Sequence, residues 1–188
     1  MELAGTTAVC AIAGDVADPS VRRDLAAAAD ARGLDALINN ASILGPSPQP
    51  RMAYYPIEAL EAVYRVNTFA PIALFQAVYP ALKAGARILN ITSDAAIEAY
   101  EGWGGYGSSK AALEQVSGVM AAENSHLRVY WVDPGDMRTQ MHQEAFPGED
   151  ISDRPPPEAS VPGILALIEG RHASGRYVAR SVVNGAGK

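Results

Sequence analysis

Cysteine is almost missing from this chain of 188 residues: Cys10 stands alone, so no disulfide can close within it. It lies in the apolar run 8–13, where a small buried hydrophobe is the expected reading rather than a reactive thiol. Histidine is scarce too. His126, His142 and His172 are far apart and have no H-x-x-x-H or C-x-x-C companions, so no metal site is expected. The net charge is −6 and the Lys and Arg residues are scattered, which removes any electrostatic reason to bind nucleic acid or an anionic membrane. No uninterrupted apolar segment approaches the roughly 20 residues that a membrane-spanning helix needs. Residues 1–14 lack the basic start and long apolar stretch of a secretory signal, which makes a cytoplasmic location the default expectation. Repeats and low-complexity blocks are absent as well.

The sequence does contain a regular alternation of short β-like apolar runs with longer helical patterns. Residues 7–13 (TAVCAIA) read as a strand and 21–32 as a helix, with Asp18 or Ser20 as N-cap and Gly33 past its end. A short buried strand at 36–38 ends in Asn39-Asn40. Helical periodicity runs over 57–82, with Ile57, Leu60, Val63, Tyr64 and Asn67 near one face. Residues 87–91 and 127–132 read as strands around a helix at 106–122. The polar, Pro-rich stretch 144–157 reads as a mobile loop, 157–169 as a helix and 176–179 as a last strand. With hydrophobic residues at 48% and charged ones at 19%, the composition suits one folded domain over 1–188. Buried strands alternating with helices point to a parallel α/β sheet, whose ligands bind beyond the carboxyl ends of the strands. Asp15, Asn39-Asn40, Ser93 and Pro134-Gly135 all follow strands.

Tyr106 and Lys110 are four residues apart on a helix pattern, so they share a face. An ammonium close to a phenol favours phenolate and would bring its pKa from about 10 toward neutrality, giving a usable general acid or base. The spacing alone is equally compatible with an ordinary surface pair. Ser93, at the end of a strand, could hold a carbonyl oxygen, although polar residues commonly end strands. Asn67 falls inside a helix pattern, where Asn is unfavourable. A polar task explains it, and so does a kink or a water site.

Taken in order, these residues resemble a classical short-chain dehydrogenase/reductase. Asp15-Val16 resembles the family's acidic motif at the adenine. Asn39-Asn40-Ala41-Ser42 resembles its NNAG, with Ser where Gly is usual. Asn67, Ser93, Tyr106 and Lys110 match its Asn-Ser-Tyr-Lys tetrad, and Pro134-Gly135 with Thr139 match its PG-x-x-x-T stretch beside the nicotinamide. The resemblance covers nearly the whole chain. It implies a Rossmann-like doubly wound parallel sheet and hydride transfer between NADP or NAD and a carbonyl or secondary alcohol. Tyr106 would be the general acid/base, Lys110 would lower its pKa and hold the ribose, Ser93 would position the oxygen, and Asn67 would hold a relay water. Cofactor contacts would come from Asp15, Val16, Asn40, Ala41, Ser42, Tyr106, Lys110, Pro134, Gly135 and Thr139. The substrate would be a small molecule. A homodimer or homotetramer would form through the helices carrying Asn67 and Lys110.

One family feature has no counterpart. The glycine-rich T-G-x-x-x-G-x-G that cradles the pyrophosphate is absent; Gly102, Gly104, Gly105 and Gly107 instead turn the loop around Trp103. Aligned on the family, the sequence lacks the first βαβ unit. The strand at 7–13 is then expected to have no neighbour and the strand at 36–38 an open edge. Dinucleotide binding should be weak, and the residue that separates NAD from NADP, at the end of strand two, cannot be read. A start codon assigned too late, or a partial gene, is one account. A genuine short protein that binds a partner through the open edge, without catalysis, is another, and a complete neighbouring chain supplying the strands is a third. Around the substrate, Asp94, Tyr100, Trp103, Met141 and Phe146 are candidate walls, or else simply pack the loop; His142 could touch a substrate, but a solvated loop residue is the expected reading.

Overall fold

The computed structural model describes residues 8–30 and 33–182. Four parallel strands lie in the order β1-β2-β3-β4: β1 (Leu34–Asn39), β2 (Leu82–Ile91), β3 (Arg128–Asp133) and β4 (Gly175–Val178). Each is followed or preceded by helix, as parallel crossovers require. The helices are α1 (Pro19–Asp30), α2 (Ile57–Tyr64), α3 (Ala70–Val78), α4 (Gly104–Glu123), α5 (Gln140–Ala145) and α6 (Val161–Glu169). Among the described residues no helix is long and apolar enough to cross a membrane.

Alternation along the strands divides the core into two layers. Leu37, Ile88 and Val129 point to one face and pack with Leu74, Phe75 and Val78 of α3 and Met120 of α4; Leu25, Ala26 and Ala29 of α1 close its margin. Leu89, Tyr130 and Val132 point the other way, against Leu167 of α6. With helices on both faces, the sheet is doubly wound, as expected. On the α6 side the cover stops short of β1. Ile38, in register with Leu89, is 46% exposed there.

The structure corrects several element assignments. Residues 8–13 form no strand and are mostly exposed, and Cys10 is exposed rather than buried. An extended apolar run becomes a strand only where another strand satisfies its backbone, and among the described residues none does; Thr7 lies outside the described residues. The pattern at 57–82 is not one helix. A π-turn at Arg65–Phe69 separates α2 from α3, and Tyr79-Pro80 begins a short 3-10 turn that leads into β2, which starts at Leu82 rather than at 87. Within the stretch read as 157–169, Pro157–Ser160 is a 3-10 turn and only the remainder is α-helix. At the start of α1, Asp18 is the cap: its carboxylate accepts from the Ser20 N–H at 2.7 Å and is held below its ordinary range mainly by that bond.

Gly163 sets how closely α6 approaches the sheet, since a Cβ there would overlap the carbonyl oxygen of Ala179. Replacing a helical glycine with alanine normally gains up to about 1 kcal/mol. Here the overlap is with rigid backbone, so Gly163→Ala should instead cost about 3 kcal/mol, read as a lower denaturation midpoint at unchanged m-value.

Candidate active site

The site is built where β2, β3 and α4 meet at the carboxyl edge of the sheet. β2 ends at Ile91, and Thr92-Ser93 lead into a 3-10 turn, Asp94–Ala96, that Ser93 caps by accepting from the Ala95 N–H at 3.2 Å. The α4 helix starts just beyond, at Gly104, so Tyr106 and Lys110 occupy its first two turns. Gly107 allows this closeness: a Cβ there would lie 2.6 Å from the Ala95 carbonyl oxygen. A cleft is lined by Ser93, Asp94, Tyr106, Pro134, Gly135 and Thr139, with Trp103, Met141 and His142 on its outer side.

Tyr106 and Lys110 are both buried, at 8% and 2% exposure. The Lys110 ammonium donates to the Ile91 carbonyl at 2.8 Å and lies 5.6 Å from the centre of the Tyr106 ring. Burial brings the Lys110 pKa down to about 8. Burial also pushes the Tyr106 phenol up to about 12; hydrogen bonding by the hydroxyls of Ser42 and Ser93 works against that rise, while the charges of Asp133 and Asp94 add to it. The expected net lowering of the phenol is thus reversed. The helical spacing brings the cation to the ring, but desolvation sets the direction of the phenol's shift.

Asn67 lies in the π-turn, fully buried. Its Oδ1 accepts from the Ser42 hydroxyl at 3.1 Å and the Ile43 N–H at 2.9 Å, and its Nδ2 donates to the Ile43 carbonyl at 2.9 Å and Ser109 Oγ at 3.0 Å. An amide has two donors and two acceptor positions, and all four are used. A water held at Asn67 would therefore need its main-chain carbonyl. The side chain is a clamp between the loop after β1 and α4.

The other predicted residues separate into two sets. Pro134, Gly135 and Thr139 join Ser93 and Tyr106 in the cleft, while Lys110 and Asn67 are buried and do not line it. The Gly135 N–H donates to Asp133 at 2.8 Å, and Thr139 caps α5 by accepting from the His142 N–H at 3.2 Å, which leaves its own hydroxyl proton free. Asn40 and Ala41 are exposed at the end of β1. Asp15 and Val16 are not part of the cleft lining; Val16 packs on the α1-side core, and Asp15 accepts from the Ala17 N–H. Of the substrate candidates, Trp103 and Met141 pack on Leu44, Ala95 and Tyr106, and Tyr100 donates to Asp94 at 3.0 Å. His142 is partly buried against Phe146, not solvated.

Two polar groups had no counterpart in the sequence reading. Arg176, on β4, donates to Glu114 of α4 at 3.0 Å and to Asp133 and the Ser93 carbonyl at 3.2 Å each; Glu114 also accepts from Thr92 at 2.8 Å. This ion triad holds the ends of β2 and β3 to the helix of Lys110. Behind it, Asn39 donates to Asn90 and Asn90 to Ser117, both at 2.7 Å, making a buried polar chain from β1 to α4. Glu114 lies one turn beyond Lys110 and Asp133 immediately before Pro134, which were available signals; Arg176 had none.

Two measurements check this electrostatic layout. Arg176→Met leaves Glu114 and Asp133 without their counter-charge, and should cost about 2 kcal/mol of unfolding free energy, part of which returns when Glu114→Gln is added. Lys110 has a folded pKa near 8, below its ordinary 10.5. Between those values the unfolded chain holds more protons, so folding stability rises with pH across that window. The wild type should therefore gain on the order of 2 kcal/mol over Lys110→Met between pH 7.5 and 10, before the Tyr106 shift opposes it above pH 10. A difference that is flat with pH would contradict the burial of a charged Lys110.

Comparison with known proteins agrees with this geometry. The family model described as short chain dehydrogenase matches residues 2–150. The chain is 32% identical over 192 residues to a short chain dehydrogenase of Penicillium thymicola, covering 89% of this chain and 69% of that protein. It is also 32% identical over 133 residues to an uncharacterized oxidoreductase of Saccharomyces cerevisiae, covering 69% of this chain but only 52% of that one. Among solved structures, a short chain dehydrogenase from Escherichia coli CFT073 complexed with NADPH superposes with a TM-score of 0.78 at 30% identity, over 86% of this chain and 70% of that one. With its sheet, its cleft and these likenesses in agreement, the chain belongs to the short chain dehydrogenase family.

Proposed function

We propose that this chain interconverts a carbonyl and a secondary alcohol by hydride transfer, with Tyr106 giving or taking the oxygen's proton. The observation that carries this reading is the convergence of Ser93 and Tyr106 beside Pro134-Gly135 and Thr139 in one cleft, with the Lys110 ammonium 5.6 Å from the Tyr106 ring behind it. Kinship to a dehydrogenase complexed with NADPH supports NADP or NAD as the partner.

The residues present fit the nicotinamide half of such a cofactor. Lys110 spends one of its three N–H donors on Ile91 and has two for ribose hydroxyls. The Thr139 hydroxyl proton and the Pro134-Gly135 turn face the same cleft. Asn40, Ala41 and Ser42 would border the ribose, with Asp15 and Val16 toward the adenine. No glycine-rich turn for the pyrophosphate occurs in the 188 residues. When bound, the cofactor supplies or accepts the hydride.

The protein's own part is proton transfer and positioning. Ser93 Oγ donates to Asp94 at 2.9 Å and would turn that proton to the substrate oxygen. Tyr106, neutral at physiological pH, donates to the same oxygen during reduction. Lys110 stabilises the phenolate that results, because its buried ammonium is already in place. Asn67 holds Ser42 and α4 so that these groups stay aligned. The protein would work in the cytoplasm as a homodimer or homotetramer joined through the helices of Asn67 and Lys110.

The test has two stages. NADPH and NADH are titrated by fluorescence, with binding in the millimolar range expected, because the pyrophosphate turn is missing. Turnover of a ketone panel is then measured at saturating NADPH, where Tyr106→Phe should lower the rate about 10³-fold and leave cofactor binding within a few-fold. Equal turnover in wild type and Tyr106→Phe removes Tyr106 from its role. No turnover in either favours a non-catalytic binding module, a reading that the exposed Ile38 at the margin of β1 also supports.

A further inference from the structure

Next to the reaction cleft is a cavity of about 310 Å³ whose lining is Asp94, Tyr100, Trp103, Asp136, His142 and Phe146. It shares Asp94, Trp103, Asp136 and His142 with the cleft at Tyr106, so the two spaces adjoin. Four of its six residues present rings and the other two present carboxylates. The rings are in mutual contact: Tyr100 and Trp103 meet edge-on at 6.4 Å, Trp103 and Phe146 at 6.0 Å, and His142 and Phe146 at 5.0 Å.

Neither carboxylate of this cavity has a close ion-pair partner among the described residues. Asp94 accepts hydrogen bonds from Ser93, Ala95 and Tyr100 but has no ion-pair partner among the described residues. Asp136 has a loose one, Arg154 at 3.7 Å, and the Arg180 guanidinium donates to its main-chain carbonyl rather than to the carboxylate. The Tyr100 phenol registers this negative field. It is held above its ordinary range first by its hydrogen bond to Asp94, then by the charges of Asp94, Glu98 and Asp136. A second observation is independent of the carboxylates: His142 Nε2 is closed off from solvent and has no hydrogen-bond partner among the described residues. An imidazole nitrogen accepts in one tautomer and donates in the other, so this one can pair with a polar group that reaches it.

We infer that this cavity receives the protonated amine of a substrate whose carbonyl or alcohol carbon lies at Tyr106. Ring faces attract cations, and two carboxylates complement the charge. An anionic group would meet Asp94 and Asp136 and be repelled. The substrate class is therefore an amino-ketone or amino-alcohol with an apolar body against Trp103 and Phe146. The placement of the reacting carbon rests on the function proposed above; the amine site does not.

The site is tested on the whole chain by calorimetric titration with three probes of one size: phenethylamine, phenethyl alcohol and phenylacetate. The amine should bind at least tenfold more tightly than the alcohol, with phenylacetate weakest. The gap should narrow as sodium chloride is raised, and Asp94→Asn and Tyr100→Leu should each reduce it several-fold. Tyr100 is half exposed, so its replacement leaves the core intact even if Asp94→Asn folds poorly. Equal binding of amine and alcohol, a gap that survives both substitutions, or no saturable binding of the amine would each overturn the inference. Because no cofactor is needed, amine binding without NADPH-linked turnover would retain this site and reject the proposed reaction. Turnover confined to neutral ketones would do the reverse.

Discussion

The Asn67 amide is the constraint on which the site depends. A buried amide with even one unpaired position costs about 1–3 kcal/mol, so the surrounding backbone must come to it. Three segments do. The loop after β1 brings Ser42 and Ile43, α4 brings Ser109, and the helix of Asn67 itself widens to a π-turn. The loop that ends the first strand and the helix that carries Tyr106 and Lys110 are thereby fixed to each other, far apart in sequence though they are. Ser42 is one of the two hydroxyls that temper the rise in the Tyr106 pKa, so the clamp also reaches the phenol's chemistry.

Below that clamp, hydrogen bonds and charge continue through the sheet. Asn39, Asn90 and Ser117 connect neighbouring strands and α4 inside an otherwise apolar layer. Arg176 does the same at the strand ends, bringing Ser93, Asp133 and Glu114 to one guanidinium. Such networks define position more than they add stability, since each member is costly once a partner is removed. Their value here is alignment. Ser93 and Asp133 end different strands, and the residues that follow them line the same cleft.

The fold and the nearness of Lys110 to Tyr106 could be read from the sequence because they depend on local spacing. Tyr106 and Lys110 share a face of one helix, and Ser93 directly follows a strand of apolar residues. The parallel sheet followed from strand–helix alternation. What failed needed tertiary information. Residues 8–13 have strand composition, but composition does not supply a pairing partner. Residues 57–82 keep an apolar period that hides the one-residue widening at Arg65–Phe69. Lys110 was expected to lower the Tyr106 pKa because spacing gives proximity; it carries no information about burial, and burial decides the direction. Arg176 is remote in sequence from everything it touches.

The π-turn has a consequence for how this gene can change. It holds one residue more than an α-helical turn would, and that extra residue lets Asn67 face inward while α3 still presents Leu74, Phe75 and Val78 to the core. A single-codon deletion within 65–69 would let the backbone relax to plain α-helix and keep the apolar stripe of α3 in phase with the sheet. The bulge that turns Asn67 inward would be lost with it, and with the bulge the clamp on Ser42 and Ser109. The core could survive the loss of one residue here that the site could not.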